Sequence, residues 1–265
     1  MLRSALLNVM IQAAQKAARS LKRDFGEIEK LQVSVKGPGN FVTAADKRAE
    51  EILFRELSKA RPNYGFLGEE GGRREGADKT HTWIVDPLDG TSNFLHGMPH
   101  FAISIGLERE GALVAGLVYN PVTDEMFSAE KGKGAFLNDS RIRVAARREL
   151  SDAIIACGLP HLGRGDIDLG LRETGLMLPQ VAGLRRFGAS SLDLAWVASG
   201  RLDAYWDRDL GPWDTAAGIV LVREAGGFVT DLNGRDDMLG RGEIVAGNEA
   251  MQRAVLRTIA PAWKR

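Results

Sequence analysis

The segment WIVDPLDGTSNF, residues 83–94, is the most informative stretch of this amino-acid sequence. Its first three residues are apolar and predict a buried strand, and Asp86 and Asp89 follow that run directly. Gly90 and Thr91 come next and can open a short helix. Mg²⁺ prefers carboxylate oxygens as ligands, and the free N–H groups at a helix start favour an anion. The segment therefore predicts a metal site and a phosphate site side by side.

Two further segments supply carboxylates. The GEEG segment, residues 68–71, ends a short apolar run, and a neighbouring strand can bring Glu69 beside Asp86. The PWDTAAG segment, residues 212–218, places Asp214 in the first turn of a helix whose small residues allow close packing. Each motif taken singly is also compatible with an ordinary polar turn or helix cap.

Helix and strand patterns alternate along the rest of the chain. Helical periodicity is clear within residues 1–25 and from the Thr43 cap to Ala60, which places Asp46 in the first turn of the second helix. Residues 71–80 are polar, and we expect a surface loop there. The other predicted strands are 33–36, 65–68, 101–107, 112–119, 125–129, 153–157, 204–206, 228–229 and 244–245; the other predicted helices are 168–177, 192–199, 212–223 and one beginning at 248.

The amino-acid composition excludes several classes of function and several kinds of site. Basic and acidic residues each total 35, so no net charge favours nucleic acid or an anionic membrane. Cys157 is the single cysteine, which excludes an intramolecular disulfide and a cysteine-rich zinc site and is typical of a reducing compartment. No stretch approaches the roughly 18 uninterrupted apolar residues of a membrane-spanning helix. We therefore expect a cytoplasmic protein with no membrane partner.

Together with VTAAD at 42–46 and EAGG at 224–227, these segments resemble the signature set of the inositol monophosphatase family, in particular its bacterial inositol-1-monophosphatase type. The family lies within the lithium-sensitive, Mg²⁺-dependent sugar phosphatase superfamily, and the match spans nearly the whole chain. The resemblance implies an α+β / α/β fold, a five-layered α-β-α-β-α sandwich of the inositol monophosphatase and fructose-1,6-bisphosphatase type. It also implies a homodimer. Within each chain, residues 1–143 are expected to form an N-terminal α+β half and residues 144–265 a C-terminal α/β half of one catalytic unit.

The resemblance assigns the metal ligands. Glu69, Asp86 and the Leu88 carbonyl are expected to hold one Mg²⁺, and Asp86, Asp89 and Asp214 a second. Glu69 also takes part in a weaker third site and counts among the catalytic residues. Two or three ions are therefore expected, with Li⁺ as an inhibitor.

The same resemblance assigns catalytic and phosphate contacts. Thr91, paired through its hydroxyl with Asp46, is expected to orient the attacking water. The backbone amides of Gly90 and Thr91 are expected to bind phosphate, with Asp89 also beside the substrate. Lys36, near the early Gly-Pro-Gly loop, matches a family lysine close to the site, although a solvated surface lysine is an equally simple interpretation.

Substrate contacts are implied at Gly188, Ser190 and Asp207, where family members contact the sugar hydroxyls. The family commonly has glutamate at the position of Asp207. Because the aspartate is one methylene shorter, its carboxylate is displaced and the preferred polyol can differ.

The implied reaction is in-line attack of a metal-activated water on a phosphate monoester, with myo-inositol 1-phosphate as the favoured substrate. Related enzymes instead hydrolyse fructose 1,6-bisphosphate, 3′-phosphoadenosine 5′-phosphate or histidinol phosphate. A different class of function is a scaffold linked to RNA polymerase and ribosomal RNA synthesis. A basic run at Arg141, Arg143, Arg147 and Arg148 could contact nucleic acid or RNA polymerase, but charge runs without aromatic residues are usually solvated surface.

Overall fold

The computed structural model describes residues 4–27, 33–37 and 40–263. Its helices are α1 (Ala5–Phe25), α2 (Ala44–Ala60), α3 (Thr91–Leu95), α4 (Ile167–Met177), α5 (Ser190–Ala198), α6 (Pro212–Glu224), α7 (Met238–Arg241) and α8 (Glu249–Ile259). Its strands are β1 (Val33–Gly37), β2 (Asn40–Thr43), β3 (Tyr64–Gly68), β4 (Gly72–Arg74), β5 (Asp78–Asp89), β6 (Ala102–Arg109), β7 (Ala112–Asn120), β8 (Glu125–Glu130), β9 (Gly134–Leu137), β10 (Ser140–Ile142), β11 (Ile154–Cys157), β12 (Gly183–Arg185), β13 (Ala204–Asp207), β14 (Phe228–Thr230) and β15 (Ile244–Gly247).

Two large sheets carry the fold within the described chain. The first has the strand order β10-β9-β8-β7-β6-β5-β3-β4 and is antiparallel except where β3 pairs with β5. The second has the order β12-β11-β13-β15-β14 and combines parallel pairing of β11 with antiparallel pairing of β15. Strands β1 and β2 form a separate hairpin that leads into α2.

The described residues form three hydrophobic cores between alternating layers of helix and sheet. The first core joins α1 and α2 to one face of the first sheet. The second lies around α5 and α6, which contact strands of both sheets and therefore form the central layer. The third joins the outer face of the second sheet to α4 and α8. This order of layers confirms the expected five-layered α-β-α-β-α sandwich.

Several elements differ from the sequence prediction. The prediction of a polar surface loop at residues 71–80 is wrong, because this segment contains β4 and the start of β5. Strand β4 lies at the edge of its sheet and exposes most of its side chains, so it lacks the alternation that predicts a strand. Helix α5 begins at Ser190 instead of residue 192. The short elements β2, β9, β10, β12 and α7 were not predicted.

The division of the chain at residue 143 stays a prediction. Strand β10 ends at Ile142 and β11 begins at Ile154, so one sheet follows the other along the chain. Helix α6, however, comes from the C-terminal part and packs on the first sheet. Among the described residues, no helix combines the length and apolar character needed to cross a membrane.

Candidate active site

Three carboxylates converge where the central helices meet the first sheet. Asp86 and Asp89 end β5, and Asp214 lies in the first turn of α6. Each offers an oxygen within 4.8 Å of the other two. Asp86 and Asp89 are 1% and 7% exposed, so these are buried acids and not a solvated surface patch.

A bulge in β5 explains how two residues three positions apart can share one face. Asp86 pairs with Ser104 of β6, whereas Asp89 pairs with Ala102, so the β5 side of the ladder has one extra residue. In a regular strand, residues three apart point to opposite faces of the sheet. The bulge reverses that alternation and places both aspartates beside α6.

Helix α6 reaches the cluster because glycines open the surface of the first sheet. A Cβ at Gly106 would lie 2.8 Å from the Ala216 Cβ, and one at Gly116 would lie 2.4 Å from the Ala217 carbonyl oxygen. The helix backbone therefore lies directly on β6 and β7, as the small residues after Asp214 led us to expect. The Gly211 amide donates to the Asp214 carboxylate at 2.7 Å, which fixes that side chain at the helix start.

Burial and mutual repulsion change the acidity of the cluster. Burial, followed by the charges of Glu69, Asp89 and Asp214, raises the pKa of Asp86 well above its ordinary value. Burial raises the pKa of Asp89 to about 6, although hydrogen bonds from Ser191 oppose the shift. Burial and the Asp89 charge raise the pKa of Asp214 to about 7. A divalent cation would relieve this repulsion, and the all-oxygen donor set suits a hard ion such as Mg²⁺.

Glu69 lines the cavity onto which these carboxylates open, but it is not a member of the compact cluster. It follows β3 directly, and its amide donates to the Val85 carbonyl at 3.2 Å, next to Asp86. Among the described residues, the group of three mutually close carboxylates includes Asp86, Asp89 and Asp214 without Glu69. Its charge nevertheless contributes to the raised pKa of Asp86.

Thr91 and Asp46 form a hydrogen-bonded pair beside the cluster. The Thr91 hydroxyl lies 3.1 Å from an Asp46 carboxylate oxygen and 3.1 Å from the Leu88 carbonyl oxygen, and can donate to one of them at a time. Asp46 is fully buried and also accepts from the amide and hydroxyl of Thr43. Burial raises its pKa despite these bonds.

Gly90 permits the sharp turn between β5 and α3. Its φ angle is +90°, in the region that favours glycine, and a Cβ there would lie 3.0 Å from the His100 carbonyl oxygen. The short helix expected to open at Gly90 and Thr91 is confirmed.

The expected sugar contacts border the same cavity of about 770 Å³ as the carboxylate cluster. Gly188 precedes α5 with a φ angle of +82°, and Ser190 begins that helix. Asp207 accepts hydrogen bonds from the Tyr205 hydroxyl at 2.6 Å, the Arg208 amide at 2.7 Å and the Ser190 hydroxyl at 3.4 Å. Lys36 lies in β1, and its side chain is outside the described part of the structure.

Sequence reasoning missed residues that hold the site together. Ser191 donates from its amide and its hydroxyl to the same Asp89 oxygen, at 2.7 and 2.5 Å. The Asn93 amide group donates to the His100 and Phe187 carbonyls, both at 2.8 Å, and so joins α3 to the chain before Gly188. Asp193 also borders the cavity, and one of its buried carboxylate oxygens has no hydrogen-bond partner.

Neither Cys157 nor His100 is suited to act as a nucleophile near neutral pH. Cys157 is 2% exposed, and burial raises the pKa of its thiol to about 12, so it stays protonated near neutral pH. His100 lies among Phe187 and Trp196, and burial lowers its pKa to about 4.

Comparison with known proteins gives the family. A sequence model described as "Inositol monophosphatase family" matches residues 2–264. The chain is 60% identical to the inositol-1-monophosphatase of Mesorhizobium japonicum, covering 98% of this chain and 97% of the relative. It is 42% identical to Nus factor SuhB of Pseudomonas aeruginosa, over 97% of this chain and 96% of the relative.

A solved structure is similar over nearly the whole length. The extragenic suppressor protein suhB from Bartonella henselae superposes with a TM-score of 0.95 at 55% identity, covering 97% of this chain and 98% of that one. The family match covers nearly every residue, including all the segments that form the carboxylate cluster. This chain belongs to the inositol monophosphatase family.

Proposed function

We propose that this protein hydrolyses a phosphate monoester in a Mg²⁺-dependent reaction, with myo-inositol 1-phosphate as the favoured substrate and inositol and phosphate as products. One observation carries the proposal: the three clustered carboxylates, Gly90 and Thr91 border a single cavity, and the Thr91 hydroxyl is hydrogen-bonded to Asp46. Relatives named inositol-1-monophosphatase support it at 55–60% identity.

Asp86, Asp89 and Asp214 would hold the metal together with Glu69 and the Leu88 carbonyl, in two or three ion positions. When bound, Mg²⁺ supplies activation of a water, neutralisation of phosphate charge and stabilisation of the leaving alkoxide. Because a carboxylate must be deprotonated to bind a cation, the raised pKa values of Asp89 and Asp214 would weaken metal binding as the pH falls through about 7 and about 6.

Thr91 and Asp46 would act on the attacking water. If the Thr91 hydroxyl donates to Asp46, its own oxygen is free to accept a hydrogen bond from a water in the cavity. The Thr91 hydroxyl can then pass its proton to the Asp46 carboxylate while the Thr91 oxygen takes one from the water, and the raised pKa of Asp46 favours that step. The amides of Gly90 and Thr91 would bind phosphate oxygens, beside Asp89.

Gly188, Ser190 and Asp207 would contact the polyol. Asp207 already accepts three hydrogen bonds within the protein, which hold its carboxylate in place. A Cβ at Gly158 would lie 1.7 Å from an Asp207 oxygen, so the short side chain is packed against this glycine. Because the Asp207 carboxylate is held in place, its position would determine which polyols fit the site, while the hydrolytic chemistry would stay unchanged.

The proposal also includes a homodimer and inhibition by Li⁺, both on the resemblance to the family. It includes a cytoplasmic location on the basis of the single cysteine and the lack of a long apolar stretch in the sequence. On the resemblance to the family, Lys36 of β1 would also contact the substrate.

Purified protein tests this function in an assay with Mg²⁺ and four esters: inositol 1-phosphate, fructose 1,6-bisphosphate, 3′-phosphoadenosine 5′-phosphate and histidinol phosphate. We expect inositol 1-phosphate to give the highest kcat/KM, and Li⁺ to inhibit turnover. Preference for another ester would change the proposed substrate but leave the proposed Mg²⁺-dependent hydrolysis in place. No turnover of any ester would refute the hydrolase proposal.

A scaffold role is the second candidate, because relatives at 39–42% identity are named Nus factor SuhB. The more similar relatives carry the phosphatase name, which favours catalysis. The variant Asp89→Asn separates the two functions, since it removes a metal carboxylate and changes little else in shape. Loss of turnover with retained RNA polymerase binding would support both roles; turnover by the wild type without any polymerase binding would exclude the scaffold role.

A further inference from the structure

We propose that Glu50 is a positioning residue for the metal site, because it fixes the turn that carries Glu69. The inference rests on the proposed function in one respect, namely that the carboxylate cluster binds Mg²⁺. Glu50 borders neither the cluster nor the cavity, and its effect would pass through the backbone of the turn.

The contacts between Glu50 and the turn are direct. Glu50 is 3% exposed, and its two carboxylate oxygens accept the amide of Glu70 at 2.8 Å and the amide of Gly71 at 2.6 Å. Each oxygen therefore serves one of the two amides that follow Glu69. A carboxylate that accepts two adjacent amides restricts the turn in a way that a single hydrogen bond does not.

The glycines around the turn leave room for this carboxylate. A Cβ at Gly68 would lie 2.4 Å from one Glu50 oxygen, and a Cβ at Gly71 would lie 2.6 Å from the other. Side chains at either position would push the carboxylate away from the amides. The turn and Glu50 are thus fitted to each other.

Glu50 shares a helix face with Asp46. The two residues lie four positions apart on α2, so they are on neighbouring turns of the same side, and both are buried. Asp46 contacts Thr91 at the start of α3, while Glu50 contacts the turn after β3. One helix face therefore holds the water-orienting pair and the Glu69 turn at a fixed separation.

A carboxylate is the residue type that this position requires. Burial raises the pKa of Glu50, and the two backbone hydrogen bonds oppose that effect. Glutamine has the same shape but only one acceptor oxygen, and its NH₂ group would face the second amide. Glu50→Gln therefore loosens the turn without removing any proposed metal ligand.

The test compares Glu50→Gln with Glu51→Gln. Glu51 is the next residue on α2, with a side chain 63% exposed, so it is a matched control for charge. Isothermal titration with Mg²⁺ alone gives the dissociation constant, and the Mg²⁺ dependence of turnover gives an activation constant. Because partners that orient metal ligands typically contribute about 10–100-fold to metal affinity, we expect both constants to rise at least about tenfold in Glu50→Gln. We expect kcat at saturating Mg²⁺ to change little and Glu51→Gln to match the wild type.

A second variant covers the case in which Glu50→Gln does not fold. Gly71→Ala places a Cβ against the Glu50 carboxylate in an exposed turn and keeps the charge of Glu50, so it should raise the Mg²⁺ dissociation constant in the same way. Unchanged Mg²⁺ affinity in either folded variant would overturn the proposal. Wild-type protein that binds Mg²⁺ but hydrolyses no ester would refute the proposed function and leave this inference standing, whereas failure of the wild type to bind Mg²⁺ would overturn both.

Discussion

At the scale of single residues, Asp89 serves the start of a helix as well as the proposed metal site. The residue before α5 is Ala189, whose methyl side chain cannot accept a hydrogen bond from the free amides of the first turn. Asp89 supplies the missing acceptor from β5, and Ser191 donates to it from both amide and hydroxyl. Because both bonds reach the same oxygen, they orient the carboxylate as a whole.

Ser191→Ala tests this orienting role. The change removes the hydroxyl bond and keeps the amide bond, so we expect the free energy of unfolding to fall by about 1 kcal/mol and the Mg²⁺ dissociation constant to rise about tenfold. Titration with Mg²⁺ and thermal unfolding measure the two effects. Ser199→Ala is the control, because Ser199 directly follows the same helix and its hydroxyl donates to the Trp196 carbonyl. Equal Mg²⁺ affinity in the two variants would contradict the role of Ser191.

The residues found from the sequence and those missed differ in where their partners lie. Asp86 and Asp89 were recognisable because they follow a buried apolar run in one continuous segment. Ser191 and Asn93 act through partners 102 and 94 residues away, and Glu50 through a turn 20 residues away. No local pattern encodes such pairs, because they depend on how the layers pack.

At the scale of elements, the approach of α6 to the first sheet determines where Asp214 lies. The sequence correctly indicated a helix starting near Pro212 with small residues after Asp214. It did not indicate which strands receive the helix, because the glycines concerned lie about a hundred positions earlier, in β6 and β7. The edge strand β4 was missed for a related reason, since its pairing depends on β3 and not on its own pattern.

Gly116→Ala tests this helix-to-sheet contact. The new Cβ would lie 2.4 Å from the Ala217 carbonyl oxygen, so either β7 or α6 must shift. We expect unfolding free energy to fall by about 1–3 kcal/mol, the usual cost of overpacking, and Mg²⁺ affinity to fall because Asp214 moves with the helix. Gly175→Ala is the matched control: it lies in α4 with no atom within 4 Å of the new Cβ, and we expect it to be neutral or stabilising. Equal stability of the two variants would show that α6 adapts without strain.

At the scale of the whole molecule, the candidate site lies where layers meet. The first sheet contributes Asp86 and Asp89, the central helices contribute Asp214 and Ser190, and the second sheet contributes Asp207. The five-layered order could be predicted through the family resemblance, whereas composition and periodicity alone indicated only mixed helix and sheet. Enclosing several acids between the layers makes the stability of the metal-free protein depend on pH.

We expect the metal-free protein to lose stability as pH rises from about 4 to above 7. Asp89 and Asp214 have pKa values of about 6 and about 7 in the fold against an ordinary value of 3.8, so the folded state holds protons that the unfolded state has released. Their contribution is complete below pH 4 and is lost progressively as the pH rises through about 6 and about 7. Urea unfolding in EDTA at pH 5 and pH 8 measures it, and Mg²⁺ should stabilise the protein more at pH 8, where binding displaces fewer protons. Since other buried acids also titrate, the comparison is with the double variant Asp89→Asn/Asp214→Asn. A pH dependence as steep in that variant as in the wild type would show that Asp89 and Asp214 are not its source.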